Sequence, residues 1–224
     1  MLDLMDLHFR YGDAGFALHI DELRIAAGES VALVGPSGSG KTTLLHLVAG
    51  ILTPDTGRVR VDGEDLGALD AAARRAFRVR RIGLVFQEFE LLEYLSVLDN
   101  VLLPYRIHPA LHLDAGARER TQELAERLGI GDKLARRPGS LSQGERQRAA
   151  VCRAMVTGPP LLMTDEPTGN LDPLNKERVL DALFELAAES GAALLAVTHD
   201  HELLARFDRV IDFKVFQDPP EATA

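Results

Sequence analysis

The segment of this chain that most clearly implies chemistry is a glycine-rich stretch between two apolar runs. It has the spacing G-x-x-x-x-G-K-[ST] and consists of Gly35, Pro36, Ser37, Gly38, Ser39, Gly40, Lys41, Thr42 and Thr43. The preceding run, Ser30 to Val34, predicts a buried strand, and Thr43 to Ala49 predicts the first turns of a helix. Such a loop turns backbone N–H groups toward a phosphate. Lys41 then supplies a positive charge for the β and γ phosphates, and Thr42 supplies a hydroxyl ligand for Mg²⁺. The alternative, a surface turn that carries a lysine, is disfavoured by the flanking strand and helix.

Polar side chains follow three further apolar runs that predict buried strands. Gln87 follows the first run, Asp165 and Glu166 end the second, and His199 comes just after the third. In open α/β sheets, ligands bind in the crevice outside the carboxyl ends of the parallel strands. Asp165 is therefore a candidate Mg²⁺ partner, Glu166 could polarise a water for attack on a γ-phosphate, and His199 could contact a γ-phosphate oxygen. The ordinary alternatives are a turn that happens to begin with two acids and a histidine with a structural hydrogen bond.

Two other candidates lie outside these strand ends. Tyr11 stands at a turn upstream of the phosphate loop, where its ring could stack on adenine or simply pack against a neighbour. Ser142 is placed to cap a helix, with Glu145 three positions later, so Ser142, Gln143, Gly144 and Glu145 read as a capping box. A well-capped helix needs no ligand. The same geometry nevertheless leaves N–H groups and a hydroxyl that could meet an anion.

The order of the predicted elements indicates an α/β fold. Residues 1 to 34 alternate like an antiparallel β layer, and buried strands then recur with intervening helices. From residue 88 the strand–helix rhythm gives way to helical periodicity. We therefore expect a P-loop core with a mainly parallel sheet, an N-terminal antiparallel β layer and an inserted helical subdomain at 88–155. The whole ATPase domain is expected to span 1–217, with a flexible tail at 218–224.

Composition restricts the setting of the protein. The 224 residues carry 25 basic and 34 acidic side chains, a net charge of −9, which argues against nucleic acid as the main partner. A single cysteine, Cys152, excludes an internal disulfide and favours a reducing compartment. The sequence has neither a secretory leader nor an apolar run long enough to span a bilayer, so we expect any membrane part to belong to another chain.

Residues 70 to 81 predict a short basic helix. Its arginines are Arg74, Arg75, Arg78, Arg80 and Arg81. A solvated helix face and a contact with anionic lipid headgroups are both possible readings, and the solvated face is favoured.

These motifs in this order resemble the ATP-binding subunits of ABC transporters, from about residue 2 to residue 215. The resemblance rests on the phosphate loop, Gln87, the segment Leu141 to Glu145, the segment DEPTGNLD from Asp165 to Asp172, and His199. The stretch RIGLVFQEFELLEYLSVLDNVLLP from Arg81 to Pro104 is most similar to the subgroup that serves lipoprotein-release and macrolide-export systems and to the related cell-division ATPase. Gln143 and Glu145 depart from the commonest residues of the family's signature segment.

The resemblance implies a head-to-tail homodimer that sandwiches two molecules of ATP with Mg²⁺. One subunit would provide Tyr11 and the loop Gly35 to Thr43, with Gln87, Asp165, Glu166 and His199. Its partner would provide the signature segment Ser142 to Glu145. Asp172 would lie at the dimer seam and couple the two sites, and Thr42, Gln87 and Asp165 would be the metal-binding residues.

The resemblance also implies an integral membrane permease as a partner. Gln87 and the region Phe89 to Leu95 would grip one of its cytoplasmic helices, and the chain would then lie on the cytoplasmic face of the cell membrane. Two alternative functions remain. One is a soluble ABC-type ATPase acting on nucleic acid or ribosomes, and the other is a membrane-associated ATPase that signals instead of transporting. The first usually carries two cassettes or a coiled-coil insertion, and this sequence shows neither.

Overall fold

The computed structural model describes residues 1–12, 16–169 and 171–216. Expectations for the turn at 13–15, for Asn170 and for the tail at 218–224 lie outside the described residues. Nine strands are described: β1 (Leu2–Arg10), β2 (Ala17–Ile25), β3 (Ser30–Val34), β4 (Thr56–Val61), β5 (Glu64–Asp65), β6 (Ile82–Val85), β7 (Leu161–Asp165), β8 (Ala193–Val197) and β9 (Arg209–Asp212). The α-helices described are α1 (Lys41–Val48), α2 (Ala71–Arg81), α3 (Val97–Val101), α4 (Leu103–Ile107), α5 (Ala115–Arg127), α6 (Gln143–Met155) and α7 (Pro173–Ser190).

The strands form two sheets of different kinds. The first is antiparallel, in the order β2-β1-β4-β5, and the second is parallel, in the order β6-β7-β8-β3-β9. Between β6 and β7 the α-helices α3 to α6 follow one another without an intervening described strand. The expected α/β architecture, with a parallel sheet, an antiparallel layer and helices, is therefore confirmed.

Both faces of the parallel sheet are covered, which is why its strands read as continuous apolar runs. In β7, Leu161 and Met163 pack into one core together with α1 and the antiparallel sheet, while Leu162 packs into a second core with α6 and α7. Leu194 and Leu195 of β8 divide in the same way. The sheet thus holds the phosphate-loop side and the helical side of the molecule in a fixed relation.

Two features of the sheets go beyond the sequence expectation. Strand β4, which follows α1, returns to the N-terminal sheet and pairs with β1, with Leu4 opposite Val59. Strand β9 adds a parallel edge next to β3, with Leu33 opposite Ile211. Among the described strands, β9 has a partner on one side only, and its residues Arg209 to Asp212 are largely exposed. It therefore lacks the apolar pattern that indicates a buried strand.

Most arginines of the basic helix α2 bind other parts of the protein. Arg74 donates to the Thr53 hydroxyl at 3.0 Å, Arg80 donates to the Ala110 carbonyl at 3.0 Å, and Arg81 pairs with Asp62 at 3.1 Å. Arg78 donates to two carbonyl oxygens at the end of α1, and burial lowers the pKa of its guanidinium. Most arginines of the cluster therefore have partners within the protein. These contacts argue against the hypothesis that the helix binds lipid headgroups.

Candidate nucleotide-binding site

The phosphate loop joins β3 to α1 in a geometry that suits an anion. Gly38 and Gly40 have positive φ angles of 77° and 103°, which glycine adopts without steric cost. Gly40 occupies the N-cap of α1 and has no side chain with which to cap the helix. The first amides of α1 are thus left to an external acceptor, and the helix dipole favours a negative one.

Phe16 covers this loop and was not among the candidates taken from the sequence. A Cβ atom at Gly40 would lie 2.1 Å from Cζ of Phe16, so the aromatic ring occupies the space above the glycine. In the sequence Phe16 simply begins the apolar alternation that leads through Leu18 and Ile20. Its position just after the turn that carries Tyr11 is the one signal that could have suggested a role at the site.

Lys41 is held inside the loop. Its Nζ donates to the carbonyl oxygens of Gly35 and Pro36, each at 2.8 Å, and lies 3.5 Å from the Ser39 hydroxyl. Lys41 and Ser39 are both buried. Pro36 and Ser39 therefore contribute by positioning the ammonium group, which places a positive charge within the ring of backbone that would surround a phosphate.

Thr42 and Asp165 meet at one edge of the loop. The Thr42 hydroxyl donates to a carboxylate oxygen of Asp165 at 2.8 Å. Among the described residues no group of three or more His, Cys, Asp or Glu side chains could hold a metal by itself. Mg²⁺ usually takes one or two protein oxygens and fills its shell with water and substrate phosphates. A hydroxyl and a carboxylate this close therefore suit a metal that arrives with a nucleoside triphosphate as part of the substrate.

Glu166 and His199 form the opposite edge. The imidazole Nδ1 of His199 lies 2.7 Å from a carboxylate oxygen of Glu166. The Glu166 side chain is 14% exposed and that of His199 is 74% exposed, so the carboxylate is sheltered while the imidazole faces solvent. Glu166 has a φ of 51°, an uncommon value for a residue with a side chain, and its N–H donates to the Val197 carbonyl at 2.9 Å. Such strain is found most often at functional sites.

One cleft brings these groups together. It has a volume of about 630 Å³, within the range of about 300–1,000 Å³ typical of ligand pockets. Tyr11 lies in its wall, 46% exposed and with its ring edge-to-face against Phe9 at 4.8 Å. The full lining is Tyr11, Phe16, Gly35, Ser37, Gly38, Gly40, Lys41, Thr42, Thr43, Gln87, Asp165, Glu166 and His199.

The remaining candidates lie on other elements. Ser142 caps α6 and accepts a hydrogen bond from the Glu145 N–H at 3.3 Å, while the Glu145 carboxylate accepts from the Ser142 N–H at 2.8 Å. That second bond, with the Ser142 backbone, lowers the pKa of Glu145. Gln143 and Gly144 form the first turn of the same helix, and Asp172 caps α7. The structure therefore brings the capping-box residues and Asp172 to helix starts outside the wall of the described cleft.

A phosphate loop at the end of one central strand, with an acidic pair at the end of a nearby one, defines the chain as a P-loop nucleotide-binding protein. A family model described as "ABC transporter" matches residues 18–169, more than half of the sequence. The chain belongs to this family of ATP-binding domains.

Individual relatives give a finer picture. The chain is 47% identical to the lipoprotein-releasing system ATP-binding protein LolD of Maricaulis maris over 85% of its own length and 82% of that protein. It is also 47% identical to LolD of Paramagnetospirillum magneticum over 84% and 83%. Among solved structures it is similar to a dimeric structure of the ATP-binding cassette MJ0796 bound to ADP and Pi, with 31% identity, a TM-score of 0.84 and coverage of 95% and 94%. The expected resemblance to the ABC family, and to its lipoprotein-release subgroup, is confirmed. No helix in the described part of the chain has the length and hydrophobicity needed to cross a bilayer.

Proposed function

We propose that this protein is the ATP-binding and ATP-hydrolysing subunit of a lipoprotein-release transporter and drives a separate membrane permease from the cytoplasmic face of the membrane. The observation that carries the proposal is the convergence of Lys41, Thr42, Asp165, Glu166 and His199 on one cleft. The similarity to LolD proteins supports the transport subgroup.

The residues of the cleft suit hydrolysis of ATP to ADP and phosphate. The loop amides and Lys41 bind the phosphates, and Tyr11 stacks on the adenine. Thr42, Asp165 and Gln87 would hold Mg²⁺, which would supply positive charge beside the phosphates. Glu166, sheltered and fixed by its contact with His199, orients the attacking water and accepts its proton, and His199 contacts the γ-phosphate.

A second copy of the chain completes the site. Ser142 to Glu145 at the start of α6 face the γ-phosphate bound by the partner subunit, where the positive end of the helix stabilises the anion. Asp172 lies at the seam between the two subunits. The MJ0796 structures, to which the chain is similar over 94% of their length, are dimeric, and this supports a dimer of this chain. Since ADP lacks the bridging γ-phosphate, hydrolysis releases the closed dimer.

A groove on the helical side is the proposed docking place for the permease. It has a volume of about 440 Å³, and its residues include Phe86, Glu90, Leu103, Ile107 and Arg153. Its occupant would be an amphipathic cytoplasmic helix of the permease that brings apolar side chains and an acidic one, because Arg75, Arg78 and Arg153 outnumber the single acid Glu90 in the lining. Gln87, which lines the nucleotide cleft, lies between Phe86 and Glu90 in the chain, so one short segment borders both places.

The region Phe89 to Leu95 is held in place by contacts with the helices on this side of the molecule. The buried side chain of Asn100 accepts from the Leu92 N–H at 2.7 Å and donates to the Leu92 carbonyl at 3.0 Å. Arg153 donates to the carbonyl of Phe89 at 2.6 Å and also to that of Glu90. A helix entering the groove would therefore press on a segment anchored to α3 and α6, and this supports the Phe89 to Leu95 region as the coupling element.

The proposal is tested by purifying the chain with the lipoprotein-release permease of the same organism and reconstituting both in proteoliposomes. We expect ATP hydrolysis, its stimulation by the permease, and ATP-dependent release of a lipid-modified protein from the vesicles. The matched control replaces Glu166 with Gln. Hydrolysis without release, in the presence of a bound permease, would favour a signalling ATPase over a transporter.

A further inference from the structure

The first turn of α7 contacts two different functional segments of the same chain. Its side chains Asp172, Asn175 and Lys176 follow the segment that ends β7 with Asp165 and Glu166. On one side they reach the start of α6, and on the other they reach the segment that carries His199. This turn therefore lies between the residues proposed to serve the partner's nucleotide and those proposed to serve the chain's own.

Asn175 makes the contact with α6. Its side chain donates to Asp172 at 2.6 Å, and its oxygen accepts from Arg148 at 3.3 Å. The same oxygen lies so close to α6 that a Cβ atom at Gly144 would be 2.6 Å away from it. A side chain at position 144 would therefore force Asn175 to shift away from Asp172 and Arg148.

Lys176 makes the contact on the other side. Its ammonium group forms an ion pair with Asp200, the residue after His199, and both side chains are partly buried. The Asp200 N–H donates to the Thr198 hydroxyl at 3.0 Å, and the Asp200 carboxylate accepts from the Glu202 N–H at 3.1 Å. Lys176 therefore fixes the short segment on which His199 is carried toward Glu166.

We propose that Asn175 and Lys176 are positioning residues that couple the two nucleotide sites of the dimer, through a link inside each subunit from Gly144 to His199. The inference rests on the proposed function, because it needs ATP hydrolysis by a head-to-tail dimer. When the start of α6 engages the partner's γ-phosphate, Asn175 and the first turn of α7 move with it. Lys176 passes that displacement to the segment that holds His199 against Glu166.

Neither Asn175 nor Lys176 is among the residues that line the cleft. Their loss should consequently spare nucleotide binding by the single subunit and change the communication between sites. Such coupling requires a two-state element whose equilibrium both sites bias. The turn is the candidate because it contacts both the start of α6 and the segment that carries His199.

The test measures ATP hydrolysis by the full chain as a function of ATP concentration. For wild type we expect cooperative hydrolysis, with a Hill coefficient approaching about 2, the limit for two sites. In Lys176→Met and in Asn175→Ala we expect the Hill coefficient to fall toward about 1, while affinity for a fluorescent ATP analogue at low protein concentration stays as in wild type. Lys176→Arg, which keeps the ion pair, should restore cooperativity, and Lys214→Met is the control for loss of a lysine elsewhere.

The outcomes separate the inference from the proposed function. A wild-type Hill coefficient retained in both Lys176→Met and Asn175→Ala, or a non-cooperative wild type that hydrolyses ATP, would overturn the link and leave the ATPase assignment in place. A wild-type chain that hydrolyses no ATP, alone or with its permease, would overturn the proposed function and the link with it.

Discussion

His199 lies 2.7 Å from Glu166, although the two residues belong to the ends of different strands. The contact follows from the pairing of β7 with β8, in which Asp165 lies opposite Val197 and the next residues emerge side by side. The backbone bond from the Glu166 N–H to the Val197 carbonyl closes the two strand ends together. The carboxylate of Glu166 and the imidazole of His199 are thereby fixed next to each other at the mouth of the phosphate loop.

Replacement of Glu166 by Gln is the sharpest test of the chemistry. The amide keeps the size and one acceptor of the carboxylate but is too weak a base to accept the proton of the attacking water. We expect ATP binding to persist and turnover to fall by about 10²–10⁴, the usual contribution of a general base. Steady-state phosphate release and a nucleotide-binding assay measure the two effects, and Glu185→Gln on the exposed side of α7 is the control. Undiminished turnover would exclude the role given to Glu166.

Gly144 and Asn175 can be tested as a contacting pair. Gly144→Ala should slow turnover because the new Cβ strikes the Asn175 side chain, which Asp172 and Arg148 hold in place. Removal of that side chain in Gly144→Ala/Asn175→Ala should bring turnover back to the level of Asn175→Ala alone. Residues in contact typically show coupling of about 0.5–3 kcal/mol in a double-mutant cycle, here built from the turnover numbers of the four proteins. Strictly additive effects would mean that the glycine is needed only by the partner subunit.

The sequence was sufficient for the part of the site that depends on residue type and position along a strand. The glycines and Lys41 of the loop, and Gln87, Asp165, Glu166 and His199, could be proposed to meet because parallel strands deliver their carboxyl ends to one edge. Their shared cleft contains all of them. The catalytic and metal-binding roles assigned to them stay predictions.

Long-range packing accounts for what the sequence did not predict. Phe16 lies over Gly40, and Asn175 lies against Gly144, only because separate elements approach each other in space. Neither residue type nor local periodicity records such an approach. The pairing of β4 with β1 is missed for the same reason, since a strand's pattern shows that it has a buried face but not which strand is its neighbour.

Cys152 provides a test of the core around α6. The residue is fully buried, and loss of solvation raises the pKa of its thiol to about 12. The thiolate is the reactive form, so the raised pKa disfavours reaction at pH 8, and burial also blocks access of a reagent to the sulfur. We expect no reaction of the native protein with a disulfide reagent and reaction of one thiol per chain in denaturant. Rapid modification of the folded protein would show that α6 opens locally, and Cys152→Ser is the control for specificity.

Arg153 should matter more for communication with the permease than for chemistry in the cleft. Phe89 and Glu90 have positive φ angles of 65° and 49°, and the planar guanidinium binds the carbonyl oxygens of both residues. Conformations of this kind persist only when surrounding contacts hold them. Lysine cannot reproduce the two-pronged geometry, so Arg153→Lys should leave one carbonyl without its donor and lower the free energy of unfolding by about 1–3 kcal/mol. Urea unfolding measures that change, and Arg127→Lys on α5, where the arginine is exposed and pairs with Glu189, should change stability by less than about 1 kcal/mol.

The second effect of Arg153→Lys separates a coupling role from a purely structural one. Arg153 and Glu90 both line the helical groove, whereas Gln87, a few residues before Arg153's carbonyl partners, lines the nucleotide cleft. If the segment transmits docking to the cleft, the variant should retain the basal ATPase rate below its unfolding temperature and lose most of the stimulation by the reconstituted permease. A merely destabilised protein would instead lose basal and stimulated rates in parallel as temperature rises. Full stimulation of Arg153→Lys by the permease at low temperature would therefore assign the arginine to stability alone. Permease docking would then still affect the cleft although the guanidinium no longer held the segment.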